Sequence, residues 1–159
     1  MFFRAAVSAL AILAFASGAQ AETHTITFDN RCGFGTPKLI QNGKILSSGA
    51  PYTFNGPIPA AIAYLQTGSC GFNGDGCTMV ETTLKNPTSP GAGSSTDITL
   101  IPPHKFSVTT GFGYYNGCDG AGADCKGANC NTAFHVPTDT FVQVQCQTNN
   151  VNLVVTFCL

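Results

Sequence analysis

The sequence is poor in charge. Seven Lys or Arg and eight Asp or Glu make up 9 % of its 159 residues, and the formal net charge is −1 at pH 7. The cations are scattered and form no basic stripe. Phosphate backbones are gripped by clustered cations, so nucleic acid is excluded as a partner. Helix surfaces are built mainly from Glu, Lys, Arg and Ala, and no stretch after residue 21 carries an apolar stripe at the 3.6-residue period. Helices are therefore not expected. The abundance of Gly, Ser, Thr and Asn points to strands and turns instead.

Several chemical signatures are missing as well. There is no C-x-x-C pair and no Cys/His cluster at finger spacing, so no metal site is expected. No glycine-rich loop follows a strand and opens a helix, which removes nucleotide binding. No Gly-x-Ser-x-Gly elbow is present, and His24, His104 and His135 are scattered, so a hydrolase triad is not expected. No cofactor is implied. Asn86-Pro87-Thr88 would be a glycan acceptor, but the central proline blocks it. Long apolar runs are absent except for one, Ala5 to Phe15, and a bilayer takes about 20 apolar residues. Arg4 precedes this run and Ala19-Gln20-Ala21 follows it as a small-x-small cleavage signal. Residues 1–21 therefore read as a signal peptide cut before Glu22. Neither a second apolar span nor an apolar tail follows, so no membrane anchor is expected.

What remains is 138 residues, a length that suits a single domain, 22–159, acting as a monomer. Without Arg4 it carries six Lys or Arg against eight Asp or Glu, a net charge of about −2. All eight cysteines lie after the cleavage signal. An even count in an exported chain reads as a disulfide framework and places the protein in the extracellular space. Eight cysteines allow 105 pairings, and spacing alone does not choose among them.

Period-two alternation and β-branched residues mark the strands. Thr23 to Asp29 places Ile26 and Phe28 on one face. Pro37 to Ser47 is split by Asn42-Gly43, a hairpin signal, because a type I′ turn needs positive φ at both central residues. Ile58 to Gln66 is a short apolar run. Thr78 to Lys85 sets Val80, Thr82 and Leu84 against Glu81. Ser95 to Ile101 sets Ile98 and Leu100 against Asp97 and Thr99. His104 to Thr109 is a further candidate. Thr140 to Gln147 and Asn150 to Phe157 flank Thr148-Asn149 and are expected to form a hairpin. Asn86 to Ser94 and the cysteine-rich Gly111 to Asn131 are expected to be loops. Many short strands and ten inward-facing apolar positions imply a fold that is all-β, a two-sheet antiparallel β-sandwich stapled by disulfides.

The order of these segments resembles that of small, single-domain thaumatin-like proteins. TITFDNRC resembles the family's first strand and its Asn-x-Cys. Gly43 to Gly49 (GKILSSG) resembles its Gly-x-x-Leu-x-x-Gly hairpin. AIAYLQTGSC and GFNGDGC resemble the strand and short cysteine loop that follow. VETTL, TDITLI, HKFSV and the ending LVVTFC match later strands, so the likeness covers most of the chain after residue 21. The family's long cysteine-rich second domain has no counterpart here. The resemblance implies a secreted protein of fungal type and a pairing of Cys32 with Cys158, Cys70 with Cys77 and Cys118 with Cys146. Cys125 is then left for Cys130. It also implies that Cys32–Cys158, which closes about 127 residues, matters most, at roughly 5 kcal/mol on a chain-entropy estimate.

The same resemblance places Glu81 and Asp97 in an acidic cleft associated with β-1,3-glucan. Two facing carboxylates are also what glycoside hydrolysis uses. Gln66 stands where the family has an arginine, which removes a cation that would orient the pair and lower its pKa values. Tyrosine faces suit sugar rings, so Tyr64, Tyr114, Tyr115, Asp119 and Asp124 complete the expected ligand face. The sequence thus reads as a non-enzymatic protein binding wall polysaccharide of the β-glucan type, with an antifungal or host-interaction role. A weak endo-β-1,3-glucanase using Glu81 and Asp97 is one alternative. An effector or immunomodulator with an extracellular protein partner is the other.

Overall fold

The structure is a computed structural model that describes residues 21–159; the expected signal peptide lies outside the described residues except for Ala21. Twelve strands, among the described residues, make up its regular structure. They are β1 (His24–Asn30), β2 (Thr36–Gln41), β3 (Lys44–Ser47), β4 (Tyr52–Phe54), β5 (Ile58–Gln66), β6 (Met79–Leu84), β7 (Ser94–Thr99), β8 (Thr110–Tyr115), β9 (Gly122–Cys125), β10 (Ala133–Phe134), β11 (Val144–Cys146) and β12 (Asn152–Phe157). One sheet has the order β4-β1-β12-β8-β9. The other has the order β10-β7-β6-β5-β2-β3, with β11 also pairing β7. The fold is therefore an all-β sandwich.

The alternation read from the sequence sets the core. Ile26, Leu153, Val155 and Phe157 from the first sheet meet Leu39, Ala63, Leu65, Val80, Leu84 and Ile98 from the second, all 0–1 % exposed. Each large aliphatic or aromatic side chain so buried contributes about 1.5–3 kcal/mol. The β2–β3 turn is the expected one, with Asn42 at φ 50° and Gly43 at φ 70°. Residues 86–93 form the expected loop between β6 and β7.

Three expectations fail. His104 to Thr109 is not a strand; it is a connection whose Ser107 binds Thr78. Gly111 to Asn131 is not a loop, because β8 and β9 form an antiparallel hairpin inside it. Its glycines mask the strand pattern, and Gly122 is required there: the Phe112 backbone carbonyl of the facing strand lies where a side chain would stand. Finally, β11 and β12 do not pair. β11 adds to β7 in one sheet, while β12 inserts between β1 and β8 in the other. The chain changes layer after Gln147 and turns at Asn150, φ 56°. Val151, Leu153, Val155 and Phe157 can then all face the core, which the three-residue β11 could not cover as a hairpin partner.

Four disulfides join Cys32 to Cys158, Cys70 to Cys77, Cys118 to Cys146 and Cys125 to Cys130. The first sits just beyond the ends of the parallel pair β1–β12, so it fastens the chain's first strand to its last. Cys118–Cys146 ties the turn after β8 to β11, and so bridges the two sheets.

Candidate functional site

Strand β6 turns Val80, Thr82 and Leu84 inward and leaves Glu81 on the outer face of its sheet. Strand β7 does the same with Asp97 between inward-facing Thr96 and Ile98. The two strands are antiparallel, and Glu81 and Asp97 are direct register partners. Side chains at such positions stand about 4.5–5.5 Å apart at Cβ. The two carboxyls therefore lie side by side on one face.

Their surroundings differ. Glu81 is exposed, whereas Asp97 is only 6 % exposed. Burial, reinforced by the neighbouring Glu81 charge and opposed by a hydrogen bond from Gln143, pushes the Asp97 carboxyl up to about 6. Gln143 Nε2 donates to Asp97 Oδ2 at 3.4 Å. Asp97 Oδ1 is buried and has no hydrogen-bond partner among the described residues. Ala60, Glu81, Thr83, Ser95, Asp97 and Gln143 line an open trough of about 220 Å³.

A second trough of similar size begins on the other side of Glu81 and is lined by Thr99, Ile101, Pro102, Pro103 and His104. The His104 ring places Nδ1 3.0 Å from the Gly74 carbonyl, so Nδ1 carries a proton and donates it. Neither Gln143 nor His104 stands out in the sequence as a site residue. Gln143 reaches Asp97 only because β11 pairs β7, a contact between residues 46 positions apart. The signal available was the outward position of Gln143 in an alternating run, without any hint of what it would face.

The remaining expected ligand residues do not join this face. Tyr64 is 2 % exposed and packs beneath the Cys70–Cys77 loop, where its hydroxyl donates to the Phe72 carbonyl at 2.8 Å. Gly74 passes over its ring at φ 80°, and a Cβ there would come within 3.2 Å of it. Tyr114 is a core residue, 3 % exposed. Its hydroxyl donates to the Val144 carbonyl at 3.0 Å and pairs with the Thr96 hydroxyl at 2.9 Å. Burial pushes that phenol up to about 12. Both tyrosines are apolar enough to fill the interior once an internal partner satisfies the hydroxyl, which is why they are not available to a sugar. Tyr115 alternates with Tyr114 and so faces outward, but from the other sheet, opposite Asn152. Asp124 is exposed on β9 of that same sheet, and Asp119 accepts from the Gly117 amide in the β8–β9 turn. Tyr115 and Asp124 therefore stand on the layer opposite Glu81 and Asp97, and Asp119 lies in the turn that Cys118–Cys146 ties to β11. Gln66 does not act in a cleft either. It closes the cysteine loop, donating to the Cys70 carbonyl and accepting from the Gly68 and Cys70 amides.

No family profile and no curated protein sequence matches this chain. Among solved structures it is similar to the thaumatin-like xylanase inhibitor, with 20 % identity, a TM-score of 0.54 and coverage of 86 % of this chain and 99 % of that one. The chain has a thaumatin-like fold.

Proposed function

We propose that this is an exported protein that binds wall polysaccharide of the β-glucan class through the Glu81–Asp97 trough, without hydrolysing it. The observation that carries the reading is the register pairing of an exposed carboxylate with a buried, easily protonated one at the floor of a single open trough. Such a pair offers acceptors and, below pH 6, a donor to the hydroxyl groups of a neutral sugar. Pairing of all eight cysteines supports an oxidising compartment. The register sets the two carboxyls side by side on one floor. Glycosidases need them on opposite sides of the scissile bond, one as acid and one as nucleophile or base. That arrangement favours binding over hydrolysis.

The test is co-sedimentation with insoluble β-1,3-glucan alongside a reducing-sugar assay on laminarin. Retention on the pellet with no sugar released supports the reading. Sugar release that disappears in Glu81→Gln would replace it with the hydrolase. A protein partner is the second reading, supported by the neighbouring fold being that of a xylanase inhibitor. It gains if deglycosylated extracellular protein captures the chain and glucan does not.

A further inference from the structure

We propose that the troughs on the two sides of Glu81 form one groove with two adjacent subsites, and that His104 is the recognition residue of the second. The ligand is then a run of sugar units in a neutral glycan chain, not a single sugar. This rests on the trough reading and extends it along the sheet. The exposed Glu81 carboxylate borders both troughs, each of about 220 Å³. The first also holds Thr83, Ser95, Asp97 and Gln143, and the second Ile101, Pro102, Pro103 and His104.

The register sets the two end to end. Thr83 pairs Ser95, Glu81 pairs Asp97 and Met79 pairs Thr99, so one trough follows the other along β6 and β7. Ser95 to Thr99 alone covers roughly 13 Å of strand, more than one sugar ring. The ends differ in chemistry. The first is polar and contains Asp97 Oδ1, a buried oxygen with no partner among the described residues. Such an orphan costs stability and marks a place built for something other than the fold. The second is walled by the exposed Pro102 and Pro103 and the half-buried Ile101, with His104 as its polar ring. Apolar walls with a few placed polar groups are how a pocket fixes the orientation of what it holds.

His104 is anchored through one nitrogen only. Its Nδ1 donates to the Gly74 carbonyl, and Gly74 lies inside the loop closed by Cys70–Cys77. The buried Tyr64 steadies that loop, since its ring packs against Gly74 and its hydroxyl donates to Phe72. The other ring nitrogen, Nε2, has no partner among the described residues. In the neutral ring Nε2 is an acceptor, suited to a sugar hydroxyl. The ion pairs among the described residues are His24–Glu22 and Arg31–Asp29, and neither involves Glu81 or Asp97. A groove bordered along its length by an uncompensated carboxylate disfavours anionic sugars and takes a neutral chain.

The experiment is calorimetric titration with laminaribiose and laminarihexaose. The parent should bind the hexaose at least tenfold more tightly, because only the longer chain fills both subsites. His104→Asn keeps a donor in place of Nδ1 for Gly74 and removes Nε2. It should melt like the parent, lose about tenfold on laminarihexaose and lose with it the preference for the longer chain. In the parent, laminarihexaose should shift the NMR ring signals of His104 and leave those of His24 and His135 in place, a readout independent of whether the variant folds. Equal affinity of the parent for the two sugars, a length preference kept in full by His104→Asn, or His104 signals that do not move would each overturn the second subsite. If Glu81→Gln still weakens binding in that case, the first trough stands alone. Binding of hexagalacturonate, an anionic chain, would overturn the neutral-chain assignment. No binding of either laminarin oligosaccharide by the parent would remove the trough reading together with the groove.

Discussion

Glu81 and Asp97 are sixteen positions apart in the chain and directly opposite each other across β6 and β7, yet one is exposed and the other 6 % exposed. The difference comes from Gln143 and β11, which extend the sheet beyond β7 and leave Glu81 uncovered. A matched pair in the sequence thereby becomes an asymmetric pair in space.

That asymmetry gives the protein a pH-dependent stability. The Asp97 carboxyl lies at about 6 in the folded protein and near the ordinary aspartate value of about 3.9 when unfolded. A pKa raised on folding gives stability that is complete below about pH 3.9 and is lost as pH rises through about 6, with little further change above that. The loss is on the order of 2–3 kcal/mol. Asp97→Asn should flatten the slope between pH 4 and 6 and melt higher than the parent at pH 7. Thermal denaturation of both proteins across that range is the measurement, and parallel curves would refute the burial argument.

Glucan binding should depend on both carboxyls. Glu81→Gln is expected to weaken laminarihexaose binding about tenfold, the scale of a lost charge-assisted hydrogen bond at roughly 1.5 kcal/mol. Affinity of the parent should also decline as pH rises through 6, when Asp97 loses its proton and a second negative charge appears beside Glu81. Titrations at pH 5 and pH 7.5 decide this.

Tyr114 gives the opposite expectation. Its hydroxyl serves the interior, so Tyr114→Phe should cost about 1–2 kcal/mol of stability by leaving the Val144 carbonyl without its donor. Glucan affinity should be unchanged. Denaturant titration together with a binding isotherm separates the two effects.

Disulfide removal should be uneven. Cys32–Cys158 spans 126 positions and Cys125–Cys130 spans five. The chain-entropy estimate is roughly 5 kcal/mol for the first and roughly 2 for the second. Folded yield should therefore fall far more in Cys32→Ser than in Cys125→Ser. Equal yields would contradict the view that fastening β1 to β12 dominates.

The sequence by itself determined the fold class, most of the strands and the inward residues. Alternation is a local property, and an Ile26 or Ile98 set between polar neighbours has only one face to bury. It also determined the Asn42-Gly43 turn, whose φ angles follow from the two residues alone. The pairing of distant segments was decided only in three dimensions. Nothing near Val144 says that it will meet Thr96 rather than β12, and the glycines of β8 give no face to read. The site followed the same division: the outward position of Glu81 was legible, but the burial of Tyr64 and Tyr114, and the meeting of Gln143 with Asp97, were not. Burial is set by what packs over a residue, and that cover comes from segments far away in the chain.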